Sequence, residues 1–400
     1  KNLNEEDLEK EFIWKLVIGD IVSAKNLFPA VNNEEIINFA IKNRICIQLL
    51  NFIYSEGLEK YVKSINLSNL ENIAKKYASK TLETKKNGLN FLKILTEKNI
   101  SYVALKGFSL LPEINPKDRI IRDLDILVEK DHIASVANLA LKNNFRFKNH
   151  KSYAESMVDS LSRYYDLPNM IDESGVCLEI HFRIDANQKK IPCSISALML
   201  QEGTSKNFKD TKISISSMEM NIIGILFHAS IKGNFDSGIQ VITDLVSIVK
   251  TKKINYFELH AHIKQLGYEN EFSPFFHLLK IEGIEDIPEF LVEKSSVRKA
   301  FLLKEILLMT PINIKLSKIF SSANFKELVS NIHENLFVRK SEIQREFGSK
   351  QYNPIFYFNY LRRWARQINQ FFLRSIKLVV DNNRSRRNTL IKEFFDNASN

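Results

Sequence analysis

The hydrophobic period of this chain changes between residues 98 and 216, and that middle stretch constrains the fold more than any other feature. Before it, apolar side chains recur every four residues, as in Ile37, Ile41, Ile45 and Leu49, which reads as successive helices. From Ile100 the texture shifts to short β-like runs at 101–105, 124–128 and 176–184, with a helical stretch at 130–143. After Ser216 the helical period returns over 218–232, 238–250, 256–265 and 269–281. Strands alternating with helices inside a helical frame predict a helix-rich α+β protein. Its expected units are a helical N-terminal region (1–98), a compact α/β unit (99–216) and a helical C-terminal region (217–400).

Composition narrows the class further. Only 12 glycines and 9 prolines occur in 400 residues, which favours long helices over a many-turned all-β fold. The length exceeds what one core usually sustains, so two or three packed units are expected. A hydrophobic fraction of 44% with 26% charged residues excludes a wholly disordered or collagen-like chain. Cys46, Cys177 and Cys193 form no C-x-x-C pair, which argues against a disulfide framework or structural zinc and fits a reducing cytoplasm. Residues 1–15 lack the apolar run of a secretory signal, and no uncharged apolar run reaches the roughly 18 residues of a membrane span. A cytoplasmic protein without a transmembrane segment is the expectation. Position 1 is not methionine, so an initiator or short leader is expected ahead of it.

The formal charge of +10 calls for an anionic partner, whether nucleotide, nucleic acid or lipid headgroup. Much of it sits late in the chain. Over 355–380, Leu361, Trp364, Ile368, Phe372 and Ile376 share one side of an amphipathic pattern, with Arg362, Arg363, Arg366, Arg374 and Lys377 interspersed. Arg384, Arg386 and Arg387 follow. This stretch reads as a helix packed by its apolar side, or as a contact for RNA or an anionic membrane.

The chemistry concentrates in two strands and a turn. Asp123 and Asp125 alternate with Leu124 and Ile126, so both carboxylates project to one side of a strand, about 7 Å apart along it. Close carboxylates repel unless a cation, a proton or a basic partner compensates them, and a hard ion such as Mg2+, or Mn2+, is the simplest answer. Glu179 supplies a third carboxylate in a second alternating strand and shares its face with His181. Three acidic groups suit a metal site for phosphoryl transfer. Upstream, Lys106-Gly107-Phe108-Ser109 falls where a strand turns into a helix near Leu110. Glycine there would admit a phosphate to the backbone, Ser109 would add a hydroxyl donor, and Lys106 and Arg119 would meet phosphate charge.

This order of Gly-x-Ser, Asp-x-Asp strand and later acidic strand resembles the DNA polymerase β-like nucleotidyltransferases. The pattern LKG, R-x-x-x-D-x-D-x-L-V and E-x-H is similar to an uncharacterised bacterial nucleotidyltransferase family over about residues 101–266. The resemblance implies a mixed-sheet core and an Mg2+-dependent transfer of a nucleoside monophosphate from an NTP such as ATP to an acceptor hydroxyl. Pyrophosphate would leave. It also implies a nucleotide-binding role for Lys232 and site-lining roles for His228 and Asp244, from the family's helical His, Lys and Asp-Leu pair, with His181 of the E-x-H strand lining the same site. Arg122 departs from the smaller residue usual in the family, which bears on access beside Asp123. The acceptor stays open between a small molecule or peptide-derived hydroxyl and the tRNA 3′ end, as in toxin-like relatives. A catalytically inactive nucleotide-binding scaffold is the non-enzymatic alternative.

Overall fold

The computed structural model describes residues 5–114, 117–148, 167–184, 194–233, 235, 238–251, 253–284, 287–309 and 389–395. The basic stretch expected over 355–380, the arginines that follow it and Cys193 lie outside the described residues.

The N-terminal region is helical as its period predicts: α1 (Glu5–Ile18), α2 (Ile21–Leu27), α3 (Asn33–Lys42), α4 (Cys46–Ser55) and α5 (Ser64–Glu97). Side-chain caps set two of the starts. Asp20 accepts from the Ser23 amide at α2, and Asn32 from the Glu34 amide at α3. The even spacing of Ile37, Ile41, Ile45 and Leu49 hides a break. Helix α3 ends at Lys42, Arg44 takes a left-handed φ of 63°, and the Ile45 amide donates back to the Ala40 carbonyl at 2.9 Å. That is a Schellman cap. The apolar spacing survives it because Ile37, Ile45 and Leu49 all bury into one core.

Five strands form a mixed sheet in the order β1-β2-β5-β4-β3. They are β1 (Tyr102–Ala104), β2 (Asp123–Val128), β3 (Arg146–Phe147), β4 (Met170–Ile171) and β5 (Cys177–His181). β2 and β5 run parallel, and the other pairings are antiparallel. A separate hairpin joins β6 (Thr204–Phe208) and β7 (Thr211–Ile215). The sequence reading did not foresee β3, β4 or the hairpin. Two-residue strands cannot display a period, and the polar, mostly exposed β6 shows no apolar alternation.

Between the strands lie α6 (Lys106–Ser109) and α7 (Ile133–Lys142), the latter entered through a 3-10 turn at Lys130–His132. The helix expected to begin near Leu110 is thus a single turn that already starts at Lys106. After β5 come α8 (Ile195–Gln201), α9 (Met218–Leu226), a π-helix at Phe227–Lys232, α10 (Gln240–Val249), α11 (Tyr256–Leu266), α12 (Glu269–Ile281) and α13 (Val297–Leu308). Among the described residues no helix is long and apolar enough to cross a membrane.

The sheet has a core on each face, and strand alternation assigns residues to them. Leu124, Ile126, Val128, Leu178 and Ile180 pack with Phe91, Leu92 and Leu95 of α5 and with Val136 and Ala140 of α7. On the opposite face Val103, Leu105 and Leu127 join the larger core, which unites α1, α3 and α4 with α9 to α13. Glu282 ties that layer together by accepting from Lys15 of α1 at 3.2 Å and Lys304 of α13 at 3.0 Å. Asp123 and Asp125 share the parity of Leu127, so β2 turns its carboxylates toward the C-terminal helices.

Candidate active site

Register brings the acidic groups together. In the parallel ladder Asp125 pairs with Glu179 and Asp123 with Cys177. His181, two residues beyond Glu179, places Nε2 3.1 Å from Asp125 Oδ1. Lys106 reaches the same oxygen from the turn after β1, with Nζ at 2.5 Å, and stands 3.7 Å from Glu179 Oε2. It does so from a left-handed backbone, φ 51°, a conformation that non-glycine residues adopt at a free-energy cost and that concentrates at functional sites. Asn169, ahead of β4, donates to Glu179 Oε1 at 2.7 Å and fixes its other oxygen. Sequence reasoning missed Asn169, whose flanking strand is too short to mark its position.

The site is charged and largely buried. Burial alone would push the Asp125 carboxyl up, but the Lys106 ammonium and the His181 bond together hold it well below the usual carboxylate range. Burial and then the Asp125 charge push Glu179 the other way. Asp123 is also pushed up, by burial and by Asp125, against the pull of Lys106 and Arg122. Burial works against the Lys106 charge, and the surrounding carboxylates outweigh it, so this lysine keeps its proton more firmly than a free one.

Ligand atoms of Asp125, Glu179 and His181 all lie within 4.8 Å of one another, a grouping that could hold a metal ion. Asp125 Oδ2 supplies the independent observation: it is buried and has no hydrogen-bond partner among the described residues. A buried carboxylate oxygen without a partner is costly unless something else satisfies it. Asp123, half-buried at the start of β2, lies outside this tight group but within electrostatic reach of it.

Lys106 and His181 also line a pocket with His228 and Lys232, walled by Leu105, Met199 and Phe227. The two helical residues come from the π-helix, a form frequent at functional sites. Burial first, and then the Lys106 charge, bring His228 down to about 3 from an ordinary 6.5, so it is neutral in the folded protein. The unfolded chain takes up a proton on this histidine below pH 6.5 while the folded one resists until about 3, so the group withdraws stability as pH falls through that window. His228→Asn is therefore expected to lose less stability than wild type between pH 6.5 and pH 4, measured by urea unfolding across pH.

Four predicted residues, Asp244 among them, are engaged within the protein. Arg119 makes a two-pronged ion pair with Asp244 of α10, Nε to Oδ1 at 2.7 Å and Nη2 to Oδ2 at 2.9 Å. Gly107 gives that guanidinium room, because a Cβ there would stand 2.3 Å from Arg119 Nη1. Ser109 is buried, and its hydroxyl donates to the Lys106 carbonyl at 2.8 Å, closing the single turn of α6.

A family model described as an uncharacterised nucleotidyltransferase matches residues 29–281. The chain belongs to this family. The match spans the carboxylate strands, the Lys106 turn and the π-helix of this nucleotidyltransferase-family protein, together with α3 and α4. No curated protein matches the chain.

Proposed function

We propose that the protein is an enzyme that moves a nucleoside monophosphate from an NTP to an acceptor hydroxyl, with release of pyrophosphate. The same reading takes residues 99–216 as the catalytic domain between helical N- and C-terminal regions. The observation that carries it is the pairing of Asp125 with Glu179 across two parallel strands, with Asp125 Oδ2 buried and unpartnered among the described residues, in a chain of nucleotidyltransferase family. Asp125 and Glu179, with Asp123 at the start of the strand, would hold Mg2+ or Mn2+, and His181 orients the Asp125 carboxylate. Such an ion supplies charge neutralisation on the transferring phosphoryl group.

The chain's own residues do the rest. Lys106 and Lys232 meet phosphate oxygens as donors and charges. Glu179, raised by burial, accepts the proton of the acceptor hydroxyl. The acceptor oxygen forms a bond to the α-phosphorus, the bond from that phosphorus to the bridging oxygen breaks, and pyrophosphate leaves with the electron pair. The acceptor we favour is a small-molecule or peptide-derived hydroxyl.

The test is incubation of the purified protein with Mg2+ and each labelled NTP against separate RNA, protein and metabolite fractions. Label in metabolites or peptides is expected. Label confined to tRNA would replace that acceptor, and nucleotide binding with no label in any fraction would leave a scaffold instead of an enzyme.

A further inference from the structure

Lys106 is anchored by its backbone, while its side chain lies between two neighbourhoods. The Leu105 amide, just ahead of it, donates to the Asp125 carbonyl at 3.0 Å, and the Lys106 carbonyl accepts from Ser109 at 2.8 Å. At the far end of the side chain the ammonium bonds Asp125 Oδ1 at 2.5 Å and stands 3.7 Å from Glu179 Oε2. The two partners differ in access. The Lys106 side chain is 27% exposed and that of Asp125 only 1%, so the lysine can leave this contact and the carboxylate cannot. The pocket that Lys106 lines with His228 and Lys232 is where it can go. Its flexible four-carbon stem lets the ammonium turn there with the backbone fixed.

The contact bears on the divalent ion. Lys106 and His181 both address Asp125 Oδ1, and Asn169 takes Glu179 Oε1. The oxygens left to an ion are therefore Asp125 Oδ2, unpartnered among the described residues, and Glu179 Oε2. An ion on those two atoms would share its carboxylates with an ammonium that already holds one of them and stands close to the other. Like charges in a largely buried volume repel more strongly than in water. Ammonium and ion thus compete for the same negative charge. A polyphosphate resolves the conflict, because its oxygens accept from the ammonium and draw it off the carboxylates. Binding of the phosphate chain then favours binding of the ion, and the reverse holds equally.

We propose that Lys106 is a gate for the divalent ion: it neutralises Asp125 and Glu179 while the nucleotide is away, and turns to the polyphosphate when it arrives, opening the carboxylates to the metal. The gate rests on the nucleotidyltransferase reading for the identity of the nucleotide and the ion. It gives Lys106 a task beyond its phosphate contact, since the protein admits the ion readily only together with the phosphate chain.

Calorimetry tests the gate on the full chain with two probes used separately, Mn2+ without any phosphate and inorganic tripolyphosphate without metal. Lys106→Met keeps the length of the side chain and removes its charge. Lys106→Asn removes the charge and suits the left-handed φ of 51°, so it carries the test if the first variant fails to fold. Arg122→Met removes one unit of charge from an exposed side chain that makes no ion pair among the described residues, and serves as the control for net charge. Both Lys106 variants are expected to bind Mn2+ tighter by about tenfold or more and tripolyphosphate weaker by about tenfold, with Arg122→Met moving Mn2+ affinity by about threefold at most. Mn2+ affinity that does not rise in the Lys106 variants, a gain as large in Arg122→Met, or unchanged tripolyphosphate affinity overturns the gate. The two opposite shifts in a protein that transfers no label to any acceptor would sink the transferase reading and leave the gate standing. Transfer of label without the Mn2+ shift would do the reverse.

Discussion

Asp125→Asn is expected to abolish nucleotide transfer, with kcat falling by about a thousandfold or more while NTP binding changes far less. The asparagine is nearly isosteric, so the effect isolates charge. It removes the anion that Lys106 and His181 both address and replaces the unpartnered Oδ2, or the oxygen facing Lys106, with an amide. Glu179 stays within 3.7 Å of Lys106 Nζ, so the lysine keeps one carboxylate neighbour and the fold is expected to hold. Because transition-state stabilisation is lost and ground-state binding is largely kept, the loss should fall on kcat and spare KM. Steady-state kinetics with a thermal midpoint on the same preparation decides it. A kcat within tenfold of wild type would remove Asp125 from the chemistry.

Arg119→Met is expected to destabilise the protein by about 3–5 kcal/mol, the effect of removing one partner of a buried ion pair and stranding the other. The geometry favours the upper part of that range. The pair is two-pronged, and the side chains of Arg119 and Asp244 are only 12% and 6% exposed. Burial alone would lower the Arg119 pKa, yet Asp244 and then Asp123 more than compensate, which shows how closely this cation depends on its partner. Asp244→Asn should cost less, since an amide still accepts one bond. The double variant Arg119→Met, Asp244→Leu should recover most of the loss, because a packed apolar pair carries no stranded charge. Urea unfolding of the three proteins tests this, and a single-variant loss under about 1 kcal/mol would contradict the buried-pair account.

The two carboxylate strands were legible because alternation and chemistry coincide in them: Leu124 and Ile126 mark one face and Asp123 and Asp125 the other, and β5 repeats the pattern with Leu178, Ile180, Glu179 and His181. What pairs with what was not legible. The 2.5 Å approach of Lys106 to Asp125 depends on a left-handed backbone, and local sequence does not announce one at a lysine. The strand period puts His181 on the face of Glu179, but only the register between β2 and β5 sets it against Asp125. The π-helix is equally silent, since its wider turn leaves no separate apolar period in the residues from Phe227 to Lys232. The break at Arg44 escaped notice for the opposite reason: the apolar spacing across it is too regular. The mutual fit of Arg119 and Gly107 and the reach to Asp244 exist only once α10 is folded against the sheet, so no local pattern marks them.

That fit makes a strut. Helix α10 holds Asp244, Asp244 holds Arg119 by two bonds, and Arg119 lies directly under the Gly107 backbone with no side chain between them. None of the three links has slack, so the turn that carries Lys106 is propped from beneath by a helix more than a hundred residues downstream. The position of the lysine over the carboxylates is thereby gauged by the C-terminal layer, and the strand bearing those carboxylates supplies only half of the alignment.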